Sequence, residues 1–305
     1  MMRAVETTIS VIDAHIHLFD PTRPGGVPWP DRTDKVLYRT ALPTRYRTLA
    51  QPHHVVGAIA IECSPWVVDN FWLQDVVEKD PMTIGFIGDL EPGVPDFAAT
   101  VDRLHRSPLF LGLRYGNLWN RDLGAAAEKH EFVSGLKLLA QEGLVLETAN
   151  PDPALTAAVL NVSDRVPDLR IVIDHLPHAA IPAEASVRAS YEDHLRELSQ
   201  RPNVFVKGSE IVRRVDSKLQ LDMGLYKAAL DQMWDLFGED RIFFGSDWPN
   251  SDSIATYDET FGVAKHYIAT RSLAAQQNYF WKNSVTVYKW RPRNPEQARL
   301  QEESA

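Results

Sequence analysis

Residues 10–19 read SVIDAHIHLF, an apolar opening followed by Asp13, His15 and His17 at every second position. In an extended chain alternate side chains point to opposite faces, so His15 and His17 share one side. Seven further runs share this design: VVGAIAIECS (55–64), TIGFIGDLEP (83–92), FLGLRYGN (110–117), GLVLETAN (143–150), RIVIDHLPH (170–178), NVFVKGSEI (203–211) and RIFFGSDWPN (241–250). Each opens apolar, as a strand buried on both faces does, and ends in polar or charged residues. Between them, FVSGLKLLAQ (132–141), PALTAAVLNVSDRV (153–166) and KAALDQMWDLFG (227–238) space apolar residues three and four apart, which is helical. Asp152 and Pro153 read as a helix start, and Gly238 as a stop. Eight strand–helix alternations predict an α/β fold, a single-domain (β/α)8 TIM barrel. We expect the barrel over residues 11–290, an extension over 1–10, and a polar, frayed tail over 291–305. Two segments break the rhythm. The Pro- and Gly-rich stretch 20–54 is an elaborated loop ahead of the first helix, and 212–226 is a second long excursion.

The composition bounds the partners. The 305 residues carry a net charge of −9, with 44% hydrophobic and 24% charged residues. That surplus of negative charge argues against nucleic acid or an anionic membrane as a partner. Cys63 is the single cysteine, which excludes an internal disulfide framework and a cysteine-based zinc site. No apolar run approaches a membrane span, and the first residues do not read as a signal peptide, so we expect a cytoplasmic protein. A homo-oligomer is compatible with all of this.

In such a barrel the chemistry sits at the carboxyl ends of the strands. His15 and His17 end the first strand and offer two imidazoles to one point, which suits a metal or a carbonyl that needs polarising. A pair of solvent-facing histidines is the bland alternative. Asp174 and His175 end the sixth run. Asp247 follows Gly245 and Ser246 in the eighth, where small residues permit close approach. A carboxylate there can take a proton from water or bind a metal. It could also cap a helix, although Pro249 and Asn250 extend the loop first.

DAHIH (13–17), IDH (173–175) and FGSDWP (244–249) together resemble the amidohydrolase superfamily. They are similar in particular to its amidohydrolase-related lactonases, the sugar-lactone and 2-pyrone-4,6-dicarboxylate lactonases. The resemblance runs from about Val11 to Trp290, and Gly112-Leu113-Arg114 adds to it. It implies that Asp247 is the general base and that His15, His17 and His175 polarise the carbonyl or hold a metal. It implies that Arg114 steadies the developing oxyanion. Asn250, and more weakly Ser64 and His178, are implied as substrate contacts. His15, His17 and Asp247 are the implied ligands of a single divalent ion, zinc or manganese, and a metal-independent site is equally open.

The departures narrow the expectation. Strand four offers Arg114, which cannot be a ligand, and strand five offers Glu147 and Asn150 but no histidine. A two-metal site is disfavoured, although Glu147 or Glu91 could assist one ion. The chain has fewer arginines than a dicarboxylate substrate would need, with Arg213 and Arg214 as supplementary charges or an exposed pair. A small lactone such as a sugar lactone is the expected substrate. Lys207 either faces the site or pairs with a carboxylate. Tyr115, Trp119 and Trp248 either line the pocket or pack. The alternative activity is a metal-dependent decarboxylase of the same branch. A serine hydrolase is disfavoured because no G-x-S-x-G elbow occurs.

Overall fold

The computed structural model describes residues 9–149, 151–178 and 181–304. Eight parallel strands run Val11–His17, Val55–Ile61, Thr83–Gly88, Phe110–Arg114, Val145–Thr148, Arg170–Ile173, Val204–Gly208 and Ile242–Phe244. They neighbour one another in sequence order. Nearly every residue in them is buried, because helices cover the outside and side chains fill the inside. The eight expected runs are these eight strands.

The barrel closes just above the last strand. His17 N–H donates to the Trp248 carbonyl at 2.7 Å, and Asp247 N–H to the His15 carbonyl at 2.9 Å. Asp13 fastens the same seam. Its Oδ1 accepts from Ser246 N–H at 2.8 Å, and its Oδ2 accepts from the Tyr46 and Tyr257 hydroxyls at 2.7 and 3.1 Å. Asp13 is thus a structural clamp beneath the site residues, and its burial without these bonds would cost several kcal/mol, roughly 1–3 per lost partner.

The helices follow the apolar periodicity. Pro153–Arg165 begins where Asp152 accepts from Leu155 N–H, and Met223–Phe237 stops at Gly238, whose φ of 71° is left-handed. The excursion over 212–226 holds a short hairpin, Arg214–Val215 against Lys218–Leu219. The tail expected to fray instead forms a helix, Pro295–Ser304. Gln297 is fully buried and donates to the Val56 and Pro81 carbonyls at 2.8 and 2.9 Å. Arg293 reaches the carbonyls of Val77, Asp80 and Thr83. These bonds dock a polar segment on the amino ends of strands two and three, the face opposite the site. No helix among the described residues is long and apolar enough to cross a membrane.

Candidate active site

The carboxyl ends of the strands open into a cavity of about 310 Å³. His17, Arg114, His175, Asp247 and Asn250 line it together with Trp29, Trp119 and Glu210. His15 does not line it: it is fully buried one step behind Asp247. Trp119, His175, Glu210 and Asp247 all adopt left-handed backbone, at φ 57, 57, 49 and 59°. Non-glycine residues pay for that conformation, on the order of 1 kcal/mol each, and four of them at one cavity mark a site whose side-chain directions are held under strain.

Asp247 is the centre. Its Oδ1 lies 3.1 Å from His17 Nε2 and 3.4 Å from His15 Nε2. Its Oδ2 accepts from Asn250 Nδ2 at 2.6 Å. Burial pushes the Asp247 carboxyl up to about 6, against the lowering effect of its bonds to Glu210 and Asn250. Burial also lowers His17 to about 4, with the Arg114 charge adding to it. His15 and His175 are lowered as well, first by burial and then by neighbouring cationic or imidazole groups. All three imidazoles are therefore neutral near pH 7, each with one N–H and one bare nitrogen.

For His17 the bare nitrogen is assigned by its other side. Nδ1 sits 3.0 Å from the Ile61 carbonyl, which only accepts, so Nδ1 carries the proton. Nε2 is a lone pair facing a carboxylate oxygen at 3.1 Å. Two acceptors this close need a proton or a cation between them. His17 and Asp247 thus fit one divalent ion, by type as well as by approach, since imidazole and carboxylate suit zinc or manganese. Two triads could complete the set, as His15, His17 and Asp247, and His175, Glu210 and Asp247, each bring their ligand atoms within 4.8 Å of one another.

Arg114 is held by Glu62. Nε donates to Glu62 Oε1 at 2.7 Å and Nη2 to the Glu62 carbonyl at 2.8 Å. Nη1 is left on the side of His15, 3.5 Å from its Nε2. Trp119 Nε1 donates to the other Glu62 oxygen at 3.2 Å, so one carboxylate fixes both the guanidinium and an aromatic wall.

The other expected residues divide between cavity, core and surface, and two lie outside the described residues. Ser64 faces a separate small cavity beside Arg23 and Asp69. The His178 side chain lies outside the described residues, as does Asn150. Glu147 is no ligand, because Lys207 and Tyr288 occupy its oxygens, and Glu91 is exposed away from the cavity. Arg213 bonds the Pro177 carbonyl and Arg214 the Ser217 carbonyl, and neither lines the cavity. Tyr115 packs on Phe132, and Trp248 on Tyr46, while Trp119 does line the cavity. Lys207 is fully buried and pairs with Glu147 at 2.7 Å and Asp174 at 3.1 Å. Glu62 and Glu210 were missed as site residues, though both end apolar runs. Trp29 comes from the long first loop, where no periodicity points to it.

The family profile described as Amidohydrolase matches residues 12–290. The chain belongs to the amidohydrolase family. This amidohydrolase is 25% identical over 286 residues to an L-fucono-1,5-lactonase of Burkholderia multivorans, covering 88% of this chain and 92% of that one. It is 29% identical over 245 residues to an L-fucono-1,5-lactonase of Burkholderia ambifaria, covering 79% and 80%. A crystal structure of a Burkholderia multivorans amidohydrolase with bound zinc superposes with a TM-score of 0.80 at 23% identity, covering 92% of this chain and 100% of that one. The matched span takes in all eight strands of the barrel but for Val11, and every residue of the cavity.

Proposed function

We propose that this amidohydrolase opens a lactone ring with water, and that Asp247 is the general base. The observation that carries the reading is a buried carboxylate, raised to about 6, held between Asn250 and two neutral imidazoles at the cavity wall. A base poised near neutrality can both take and return a proton. Asp247 accepts a proton from water as the oxygen attacks the lactone carbonyl. Arg114, with Nη1 uncommitted to Glu62, meets the developing oxyanion. Collapse breaks the bond to the ring oxygen, which takes the proton from Asp247, and a hydroxy acid leaves. A divalent cation on His17 and Asp247 supplies Lewis-acid polarisation of the carbonyl when bound.

The cavity supports a sugar lactone as the substrate. Trp29 and Trp119 offer flat apolar faces, and Asn250 and Glu210 offer polar edges, a pairing suited to a polyhydroxylated ring. Among the described residues Arg114 is the one basic side chain with a permanent charge that lines it, which favours a neutral lactone over a dicarboxylate. The relatives named L-fucono-1,5-lactonase support the same class. The test is a panel of sugar lactones followed by acid release. Activity on at least one member, falling roughly 100-fold or more in Asp247→Asn, is the expected result. An inert panel, with carbon dioxide released from an aromatic carboxylate, would establish a decarboxylase instead.

A further inference from the structure

The two histidines of the first strand both turn Nε2 to Asp247 Oδ1, but different groups stand behind the two rings. His17 is backed by a carbonyl. His15 is backed by an ammonium: Lys207 Nζ sits 3.2 Å from His15 Nδ1. Lysine ammonium has three donors and no acceptor. Its charge is anchored, since Lys207 is fully buried and lies between two carboxylates, Glu147 at 2.7 Å and Asp174 at 3.1 Å. We propose that Lys207 is a positioning residue that donates to His15 Nδ1, leaves the ring proton on Nε2, and makes His15 a hydrogen-bond donor to Asp247 rather than a metal ligand.

The other neighbours of His15 bear on this assignment. Asp174 Oδ1 would accept a proton from Nδ1, but at 3.7 Å it is beyond hydrogen-bond reach and lies nearer to Lys207. On the opposite side Nε2 faces Asp247 Oδ1 at 3.4 Å, an acceptor that a bare nitrogen would repel. Arg114 Nη1 pulls the other way, since a guanidinium also wants an acceptor, but its 3.5 Å contact is the longer of the two cationic approaches. A neutral imidazole has one proton to place. The closer cation on Nδ1 and the carboxylate at Nε2 both put it on Nε2.

The consequence divides the His-x-His pair. A metal-binding histidine normally donates its far N–H to a carbonyl or carboxylate, which frees the near lone pair. His17 meets that requirement and His15 does not. Any divalent ion then keeps Asp247 with His17 or, on the other side, Asp247 with His175 and Glu210, while His15 aims the carboxylate. This inference concerns proton placement and stands whether or not the substrate is a lactone.

The direct test is nitrogen NMR of protein labelled with 15N-histidine, treated with chelator, with the His15 signals assigned by their loss in His15→Asn. The expected spectrum shows His15 protonated on Nε2 and His17 protonated on Nδ1. A His15 ring protonated on Nδ1 would overturn the proposal. The second measurement is zinc affinity by competition with a chromophoric chelator. Lys207→Met together with Glu147→Gln removes an opposite pair of charges and releases the His15 tautomer. Zinc should then bind roughly tenfold tighter or more, the scale on which partners behind a ligand tune affinity. Unchanged or weaker binding in the folded double variant would overturn it. A purely structural role for Lys207 predicts a loss and cannot give this gain.

Discussion

Asp247→Asn should lose activity and gain stability. The carboxyl's ordinary value is 3.8, and burial raises it to about 6. A raised carboxyl means the native state holds a proton that the unfolded chain releases between those values. Stability therefore falls as pH climbs through that window, and the penalty is fully present above pH 6. Two pH units at 1.36 kcal/mol each make that penalty about 3 kcal/mol. Asparagine carries no charge to desolvate. Its carbonyl oxygen can keep the bond from Asn250, now 2.6 Å, and its amide can donate to the His17 Nε2 lone pair. The amide also meets the His15 N–H side at 3.4 Å, where two donors oppose each other, which takes back on the order of 1 kcal/mol. The net expectation is a gain of about 1–2 kcal/mol at pH 8, in chelator, by urea unfolding. The advantage should shrink on going to pH 5, as the native carboxyl takes up its proton. An asparagine variant no more stable than the parent at pH 8, or an advantage that persists unchanged at pH 5, would refute the assignment of Asp247 as a desolvated, strained base.

Four further outcomes follow from the structure. The rate constant kcat/KM should rise about tenfold from pH 5 to pH 7 as Asp247 ionises, then level off. Added zinc should move that limb to lower pH, because a cation favours the ionised carboxylate, and a limb indifferent to zinc would remove the metal from Asp247. Gly245→Ala should cost about 1–3 kcal/mol and lower kcat, since a new Cβ would lie 2.6 Å from the His15 Cβ and force the first strand away; a neutral effect in urea unfolding would show that the seam can give. Gln297→Ala should lower stability by about 1–3 kcal/mol with kinetics intact, because it strands two contacts on the face opposite the cavity; unchanged unfolding would mean that the helix is docked only loosely.

The barrel was legible because buried parallel strands are continuous apolar runs, and the polar residue ending each run is where the chain leaves the core. That rule finds His15, His17, His175 and Asp247, and applied evenly it also finds Glu62 and Glu210. Their role is not legible there, because a carboxylate at a strand end has many uses, and only the fold brings Glu62 to Arg114 across 52 residues. Trp29 was not legible, since an irregular loop has no period to read. The docked tail is hidden for a related reason: Arg293 and Gln297 bury themselves through hydrogen bonds to strand-end carbonyls, and polar residues that do this look like surface. The tautomers of His15 and His17 were furthest from reach. Spacing shows that the rings share a side. What each ring donates depends on Ile61, 44 residues away, and on Lys207, 192 residues away.

Those distant partners explain why so much charge is buried beneath the cavity. Glu62, Arg114, Asp174, Lys207 and Glu147 alternate in sign across the barrel interior and are all nearly inaccessible. Apolar residues of similar volume would often be as stable or more so, since desolvating each ion costs several kcal/mol before pairing returns it. A purely structural core has no need of such an arrangement. Its effect is to set a guanidinium edge on Arg114 and, on our reading, a donor on His15, beside the bare Nε2 that the Ile61 carbonyl leaves on His17. The result is a resting site with an unmet demand, two acceptors 3.1 Å apart at His17 and Asp247. On the proposed mechanism, the proton that a water gives up on attacking a carbonyl would meet that demand, and the raised carboxyl would then surrender it to the departing ring oxygen.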